Sequence, residues 1–597
     1  MVRNCREVSF SALHHPAAGP PPDDMKLSLL VQAAGLLVAG QALADTVVSS
    51  QQACRCLPGD ACWPSDSVWA QFNATVGGRL VATVPIGSPC HDPTYDAVAC
   101  AALQAKWKNP LTHIPSSSSV MQTYFANQSC DPFTDRSKPC LLGNYVSYAV
   151  KVKCTADVAA ALRFAKEHNI RIAVRNTGHD FFGRSTGAGA LAIWTQGLKT
   201  VSFTDWSDEH YTGPAANVGA GVIGYEIVEA AQKQNLTVVT GECATVGLAG
   251  GFIQGGGHSA LSTAFGLASD QTLAFQVVTT GGRTVTATPT KNADLYWALS
   301  GGGGGNYGVV VGVTVRAHKA ATVGGAAFQL LAPTTTPEKF QAAVVKFYEL
   351  LPKMIDAGAM VVFYTNQQML VVKPLTVWNS TAAYIRDTVL QPFTAALTEI
   401  GITLPVAYSE LSYRDHYDRY MGPLPQGSYE VERYQFGGRL IPRQVLQDEK
   451  SRSAFVGVVN NLTANGILAV GSAAAYSNKP VGSPDNAVNP VWRSTLVQLQ
   501  LITDWDSTAP WSDMVAAQRR MTDEFMPQIE SVTPGSGSYM NEADFRQPNW
   551  QQTFYGSSYE KLLSIKRKWD PESVLYVLKG VGSEAWNVGE DGRMCRA

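Results

Sequence analysis

The sequence is short of charge. Only 16% of its 597 residues are Asp, Glu, Lys or Arg, and the formal net charge is −2. There is no basic surplus to attract a nucleic acid or an anionic membrane. Histidines number 10 and do not cluster as a metal site requires, so no metal is expected. Past the N-terminal leader no hydrophobic run reaches membrane length. No GxxxxGK[ST] loop is present, which argues against ATP or GTP. No GxGxxG follows a strand, opens a helix and has an acidic residue about 20 positions on, so a Rossmann domain is not expected. A GxSxG hydrolase elbow is also missing, and no short-period repeat is visible.

What is present begins with a leader. Residues 1–24 are Pro-rich and irregular. Met25 then opens MKLSLLVQAAGLLVAGQALADT: Lys26 is a short positive region, 27–40 is mostly apolar, and Ala42-Leu43-Ala44 is an A-x-A cleavage site. The reading is a non-native upstream start at 1–24, a signal peptide at 25–44 and a mature chain from Asp45. The protein is expected to be secreted, with no membrane attachment after cleavage.

Export predicts oxidised cysteines. Of the 11, Cys54, Cys56, Cys62, Cys90, Cys100, Cys130, Cys140 and Cys154 crowd the N-terminal region, Cys595 stands near the C-terminus and Cys5 precedes the leader. Disulfides are expected, although spacing does not fix their pairing. Cys243 stands alone in a glycine-rich segment and asks for a partner. Asn-x-Ser/Thr acceptors at Asn73, Asn127, Asn235, Asn379 and Asn461 are expected to carry some N-glycans.

Residues 45–140, rich in Cys, Pro and Ser, read as a stapled N-terminal region. From Tyr145 the texture changes. YVSYAVKV and IRIAVRN read as strands flanking the amphipathic helix ADVAAALRFAKEHN. IGYEIVEAAQKQN reads as a helix, LTVVTG as a strand, and LAFQVVTTGGRTVTATP as a hairpin. Between about 321 and 538 glycine thins out, and helices such as PEKFQAAVVKFYELLPKM alternate with strands such as AMVVFYT and STLVQLQLIT. This is a second, α+β domain. The tail, 539–597, contains the helix YEKLLSIKRKW and is expected to return to the first domain, 141–320.

Three glycine-rich stretches, 175–189, 241–257 and 301–308, each lie beside a strand in that first domain. Glycine lets backbone N–H groups approach a diphosphate without a Cβ in the way. One such stretch would only mark a turn. Three together point to a large phosphate-bearing cofactor held mainly by backbone.

Four segments carry a family resemblance. RNTGHD resembles the Arg-x-x-Gly-His motif of the vanillyl-alcohol-oxidase (PCMH-type) flavoproteins. CATVGLAGGFIQGGGHSAL resembles the Cys-x-x-Val-Gly…Gly-Gly-Gly motif of their berberine-bridge-enzyme-like branch. DLYWALSGGGGGNYGVV and YMNEADFRQPNWQQTFYGSSYEKLLSIKRKWDP are similar to further segments of that branch, in the same order. The resemblance implies an α+β fold: a two-part FAD-binding domain with an inserted substrate domain, whose antiparallel sheet is covered by helices. It implies FAD attached twice, to His179 through the flavin 8α-methyl and to Cys243 through C6. Backbone around Arg175, Asn176, Thr177, Gly178 and Asp180 would cradle the diphosphate. Ser185, Thr245, Gly247, Gly251 and Gly257 are further contact candidates. Val246 is the residue type that goes with oxygen reactivity in related enzymes. His258 is a flavin-side candidate, although structural hydrogen bonding is the stronger reading of it.

The resemblance also implies hydride transfer to flavin N5, with O2 returning H2O2 and a base beside the flavin. The family often has Tyr-x-Asn-Tyr-x-Asp, whereas this chain reads Tyr539-Met540-Asn541-Glu542-Ala543-Asp544. Glu542 replaces the tyrosine. A free carboxyl titrates near ~4.3 against ~10 for tyrosine, so Glu542 is ionised without special activation. Glu542 is the expected base and Tyr539 a partner of the substrate or of the base. In a regular strand these two would face opposite sides, so the strand must end or bulge there. Gln498 and Gln500 share one strand face, read as a solvated face slightly ahead of a substrate contact. The expected reaction is oxidation of an alcohol or carbohydrate hydroxyl carbon of a small molecule. Oxidative ring formation or dehydrogenation of a secondary metabolite, and a catalytically silent flavin binder, are the rivals.

Overall fold

A computed structural model describes residues 54–597. The upstream start, the leader and the cleavage position lie outside the described residues. Four disulfides are formed among those described. Cys56–Cys62, Cys90–Cys100 and Cys130–Cys140 staple the N-terminal region locally, and Cys54–Cys595 joins the two ends. Cys243 is free.

The first half holds two sheets. Strands β1 (Leu80–Ala82), β2 (Tyr148–Lys151), β3 (Ile172–Arg175) and β4 (Leu191–Trp194) form one in the order β1-β2-β4-β3. β4 runs parallel to both β2 and β3. The connection from β2 to β3 is the helix Thr155–Glu167. Its Val158, Ala161, Leu162 and Ala165 are buried at helical spacing, so one face packs into the core. Next come β5 (Val201–Ser207), β6 (Thr212–Gly219), β7 (Leu236–Thr237), β8 (Thr272–Val278), β9 (Thr284–Ala287), β10 (Val309–Arg316) and β11 (His318–Lys319). A second sheet has the order β5-β6-β10-β8-β9, and β7 pairs with β11 in a short ribbon. LTVVTG therefore yields only two strand residues. The chain leaves the ribbon after Thr237, and by Gly241 it lines the functional cavity.

The second half is one antiparallel seven-stranded sheet. Its strands are β12 (Val323–Leu331), β13 (Ala359–Thr365), β14 (Met369–Trp378), β15 (Val406–Leu411), β16 (Tyr434–Pro442), β17 (Leu468–Ala473) and β18 (Thr495–Asp504), in the order β15-β12-β14-β13-β17-β18-β16. Two-residue alternation sorts its side chains between two faces. Val361 and Phe363 of β13, and Val497, Leu499 and Leu501 of β18, share a core with Phe340 and Phe347 of the helix Pro337–Asp356. That helix begins at Thr336, whose hydroxyl accepts the Lys339 N–H, with Pro at its first turn. On the opposite face Met360, Val362 and Leu440 pack against Leu267 of the first half and Tyr539 of the tail. The sheet is thus covered by helices on one side and by the first domain on the other. The overall class is α+β.

The tail packs against the first half of the chain. The buried Lys566 ammonium, on the helix Tyr559–Trp569, donates to the Asn306 and Leu575 carbonyls at 2.7 and 2.8 Å and pairs with Asp570 at 2.5 Å. Asn306 belongs to the third glycine stretch, so this ion pair ties the tail to that loop. Among the described residues no helix is long and apolar enough to cross a membrane, and no group of His, Cys, Asp and Glu could hold a metal.

The Cys54–Cys595 bond closes a loop of 541 residues. Cys54→Ser with Cys595→Ser is expected to lose about 2–5 kcal/mol of stability. A lower thermal midpoint, and earlier proteolytic release of the C-terminal strand, would show it.

Candidate active site

A cavity of about 410 Å³ lies between the first domain and the sheet. Its first wall is mostly backbone, from Asn176 to Asp180, around Val246 to Gly251, and at Gly304 and Gly305. The facing wall is the sheet: Val362 and Tyr364 of β13, Val470 and Ser472 of β17, and Gln500 and Ile502 of β18. Tyr429, Tyr434, Tyr539, Asn541 and Glu542 complete it.

The backbone wall works because it lacks side chains. A Cβ on Gly247 would meet the Asn176 amide nitrogen at 1.9 Å, while that amide donates to the Ala220 carbonyl at 2.7 Å. At Gly250 and Gly251 the nearest atoms stand 4.0 and 3.8 Å from where a Cβ would be, so a side chain there would project into the cavity. Residues lining this space also hold buried polar atoms without a partner: Asn176 Oδ1, Ser185 Oγ and Gln254 Oε1. Each unmet buried group costs about 1–3 kcal/mol. A smooth backbone cradle with spare donors and acceptors fits a dinucleotide such as FAD.

His179 and Cys243 meet at Thr245. Its hydroxyl lies 2.7 Å from His179 Nε2 and 3.5 Å from Cys243 Sγ. Burial, aided by His113 and Arg175, pushes the His179 pKa down to about 3, so the ring is neutral and keeps a nitrogen lone pair. Burial pushes the Cys243 thiol up, against the pull of its hydrogen bonds with Thr245. A neutral imidazole and a thiol in one cavity wall are the two nucleophiles that double flavin attachment needs.

Glu542 enters from the tail on a turn, not a strand. Its N–H donates to the Tyr539 carbonyl at 3.0 Å, and this fold-back lets both residues line the cavity. One carboxylate oxygen of Glu542 accepts the Gln500 amide at 2.5 Å and lies 3.0 Å from His258 Nε2. The other ring nitrogen, Nδ1, faces Glu242 Oε1 at 3.5 Å. Burial alone would lower the His258 pKa, but Glu542 and Glu242 outweigh it and raise it to about 10. The Tyr539 hydroxyl accepts the Asn541 amide at 2.9 Å, and burial with the nearby Glu542 charge pushes its pKa far up, keeping it neutral.

Most residues singled out in the sequence line this cavity: Asn176, Thr177, Gly178, His179, Asp180, Ser185, Cys243, Val246, Gly247, Gly251, His258, Gln500, Tyr539 and Glu542. Four do not. Arg175 is buried behind the wall, donating to the Ser116 and Thr177 carbonyls. Thr245 is buried beneath the two nucleophiles, and Gly257 packs on Phe252. Gln498 is buried two residues from the cavity. The preference for a solvated glutamine face is therefore corrected. That face turns toward the first domain, because the helices occupy the other. The Asp180 carboxylate accepts the Arg184 N–H and caps the following turn. Sequence reasoning missed Glu242, Tyr364, Tyr429 and Asn541. Glu242 adjoins Cys243, but only folding brings it to His258.

Comparison with known proteins agrees with this architecture. Residues 146–288 match the family described as FAD binding domain, and 538–582 match the one described as berberine and berberine like. The FAD-linked oxidoreductase ZEB1 of Gibberella zeae is 48% identical over 93% of this chain and 97% of its own length. The FAD-linked oxidoreductase patO of Penicillium expansum is 45% identical over 91% of this chain and 95% of its own. The crystal structure of the VAO-type flavoprotein MtVAO615 from Myceliophthora thermophila superposes with a TM-score of 0.87 at 41% identity, over 91% of this chain and all of that one. The chain belongs to the VAO-type, berberine-bridge-like family of FAD-linked oxidoreductases.

One glycine sets the position of Glu542. A Cβ on Gly438 of β16 would lie 2.1 Å from the Glu542 carbonyl oxygen. Gly438→Ala must move the 539–542 turn. Since a displacement of ~1 Å can cost ~100-fold in rate, kcat is expected to fall by one to two orders of magnitude. Steady-state kinetics, with far-UV dichroism to verify folding, would measure it.

Proposed function

We propose that the protein is a secreted oxidase with FAD bound covalently to both His179 and Cys243, acting on an alcohol carbon of a small molecule. The observation that carries this reading is the shared cavity. Two nucleophiles meet at one threonine on the cofactor side, and Glu542 with its hydrogen-bonded partners comes from the tail. A glucooligosaccharide oxidase from Acremonium strictum, similar in fold (TM-score 0.59, 20% identity), is described as carrying 6-S-cysteinyl, 8α-N1-histidyl FAD. This supports the double attachment.

Bound FAD would supply a hydride acceptor and hand the electron pair to oxygen, giving hydrogen peroxide. The chain's own residues manage the proton. Glu542 has lone pairs left after Gln500 and His258 are served, and takes the substrate hydroxyl proton as the carbon becomes a carbonyl. Val246, in the cofactor wall beside Cys243, leaves room for oxygen. On the substrate side Val362, Val470 and Ile502 alternate with Tyr364, Ser472 and Gln500. That mixture favours an alcohol on a largely apolar scaffold over a bare sugar, and Tyr429 and Tyr434 offer flat faces to it. The local disulfides and the leader support secretion. Asn127, Asn235, Asn379 and Asn461 are exposed, as glycan acceptors must be.

Purified protein should be yellow, and the colour should stay with the chain through acid precipitation. Free flavin in the supernatant would refute covalent attachment. Glu542→Gln should slow anaerobic flavin bleaching by substrate by ~100- to 10,000-fold and leave attachment intact. Bleaching at the parent rate would remove Glu542 from its role.

A further inference from the structure

His258 is placed as no ordinary core histidine is. It is 7% exposed and stands directly after the glycine run, with a carboxylate on each ring nitrogen: Glu542 at 3.0 Å from Nε2 and Glu242 at 3.5 Å from Nδ1. The Tyr539 ring meets it edge to face, with ring centroids 5.5 Å apart. The two carboxylates come from segments 300 positions apart in sequence and converge only here. Glu242 Oε1 and His258 Nδ1 are both buried and meet at an ion-pair distance of 3.5 Å, and neither has a hydrogen-bond partner among the described residues.

A buried imidazole facing one carboxylate can settle either as an ion pair or as a neutral pair, because burial opposes both charges. A second carboxylate on the other nitrogen breaks that balance, since a neutral imidazole has only one N–H and cannot donate to both. We propose that Glu242 is a positioning residue, which acts through His258 to hold that ring as an imidazolium and so fixes the charge and direction of Glu542. This rests on the reading of Glu542 as the proton acceptor. Glu242 itself touches neither the proton nor the substrate in this role. With His258 charged, Glu542 faces a cation on one side and the Gln500 amide on the other. Its remaining lone pairs are left for the cavity.

The other titratable groups packed around the cluster stay neutral where it operates. Burial, with Glu242 adding to it, pushes Tyr364 up to about 12. Burial likewise pushes Tyr413 up to about 12. Burial also drives Tyr476 and Tyr539 well up and raises Cys243. Arg184, whose charge reaches Tyr539, is the neighbouring cation. The sign is therefore set by the two carboxylates. A histidine raised from 6.5 to about 10 has its ion pairs fully in place below 6.5 and loses them as pH rises through about 10. The alkaline limb of turnover is expected there.

The test reads His258 directly. Protein labelled with 15N-histidine, with its flavin attached, is titrated by NMR from pH 6 to 11, and His258→Asn identifies the signal. The expected result is two protonated ring nitrogens at pH 8. A neutral ring at pH 8 overturns the proposal. Glu242→Gln should lower the titration midpoint by ~1 unit or more, and Glu242→Asp should restore part of it. The alkaline limb of kcat should move down with the midpoint while KM changes little. An unmoved midpoint in Glu242→Gln also overturns the proposal. A midpoint that moves without the kcat limb supports the imidazolium and overturns Glu542 as the base, so the two readings fail separately.

Discussion

Close approach to bare glycine backbone is the constraint on which the cavity depends. Gly247 admits the Asn176 side chain at a distance no Cβ would tolerate, and Gly438 lets the strand β16 run against the carbonyl of Glu542. The first contact shapes the cofactor wall and the second places the residue opposite it. The surrounding hydrogen bonds then make both rigid. The Trp194 indole donates to the Asn176 carbonyl at 3.1 Å, and the Asn176 amide in turn reaches Ala220. A wall of bare backbone costs conformational entropy in the unfolded chain. Groups from three separate elements hold it in one shape.

The cavity is also assembled from distant parts of the chain. His179 and Cys243 come from the first domain, Gln500 from the inserted sheet, and Glu542 from the tail. The tail follows the sheet, with the Leu440 N–H donating to the Gly537 carbonyl at 2.8 Å. The Lys566–Asp570 pair then anchors it to the third glycine loop. Glu542 is thus fixed to both halves at once. A shift of the sheet would move Gln500 and Glu542 together, because β16 and β18 are neighbours in register, with Gly438 opposite Gln500. The Glu542 carboxylate and the Gln500 amide therefore keep their relative geometry.

Much of this was legible from residue types. Glycine beside strands marked the backbone wall of the cavity, and the solitary Cys243 and the carboxylate of Glu542 in place of a tyrosine both line that cavity. The helices and most strands followed from apolar spacing. What escaped depended on long-range placement. Period two put Gln498 and Gln500 on one face, but only the helix packing showed which way that face turned. LTVVTG had strand composition, yet its second half had to leave the ribbon to reach the cavity. The 539–542 turn carries no glycine or proline to announce it. Glu242 was visible as a residue and invisible as a partner, since nothing local ties position 242 to position 258.

Two histidines in this one cavity show how little burial alone decides. Burial lowers the pKa of both. At His179 the neighbours are His113 and Arg175, which act in the same direction as burial, and the value falls to about 3. At His258 the neighbours are Glu542 and Glu242, which oppose it, and the value rises to about 10. The difference suits the two positions. Under the proposed attachment, the His179 ring would need to keep a lone pair, and a proton there would block it. A ring that orients a carboxylate must keep its proton, and losing it would leave two partly buried carboxylates around a ring with a single N–H. At His179 burial and the adjacent charges act together, and at His258 the adjacent carboxylates overcome burial, so the neighbours decide whether burial prevails.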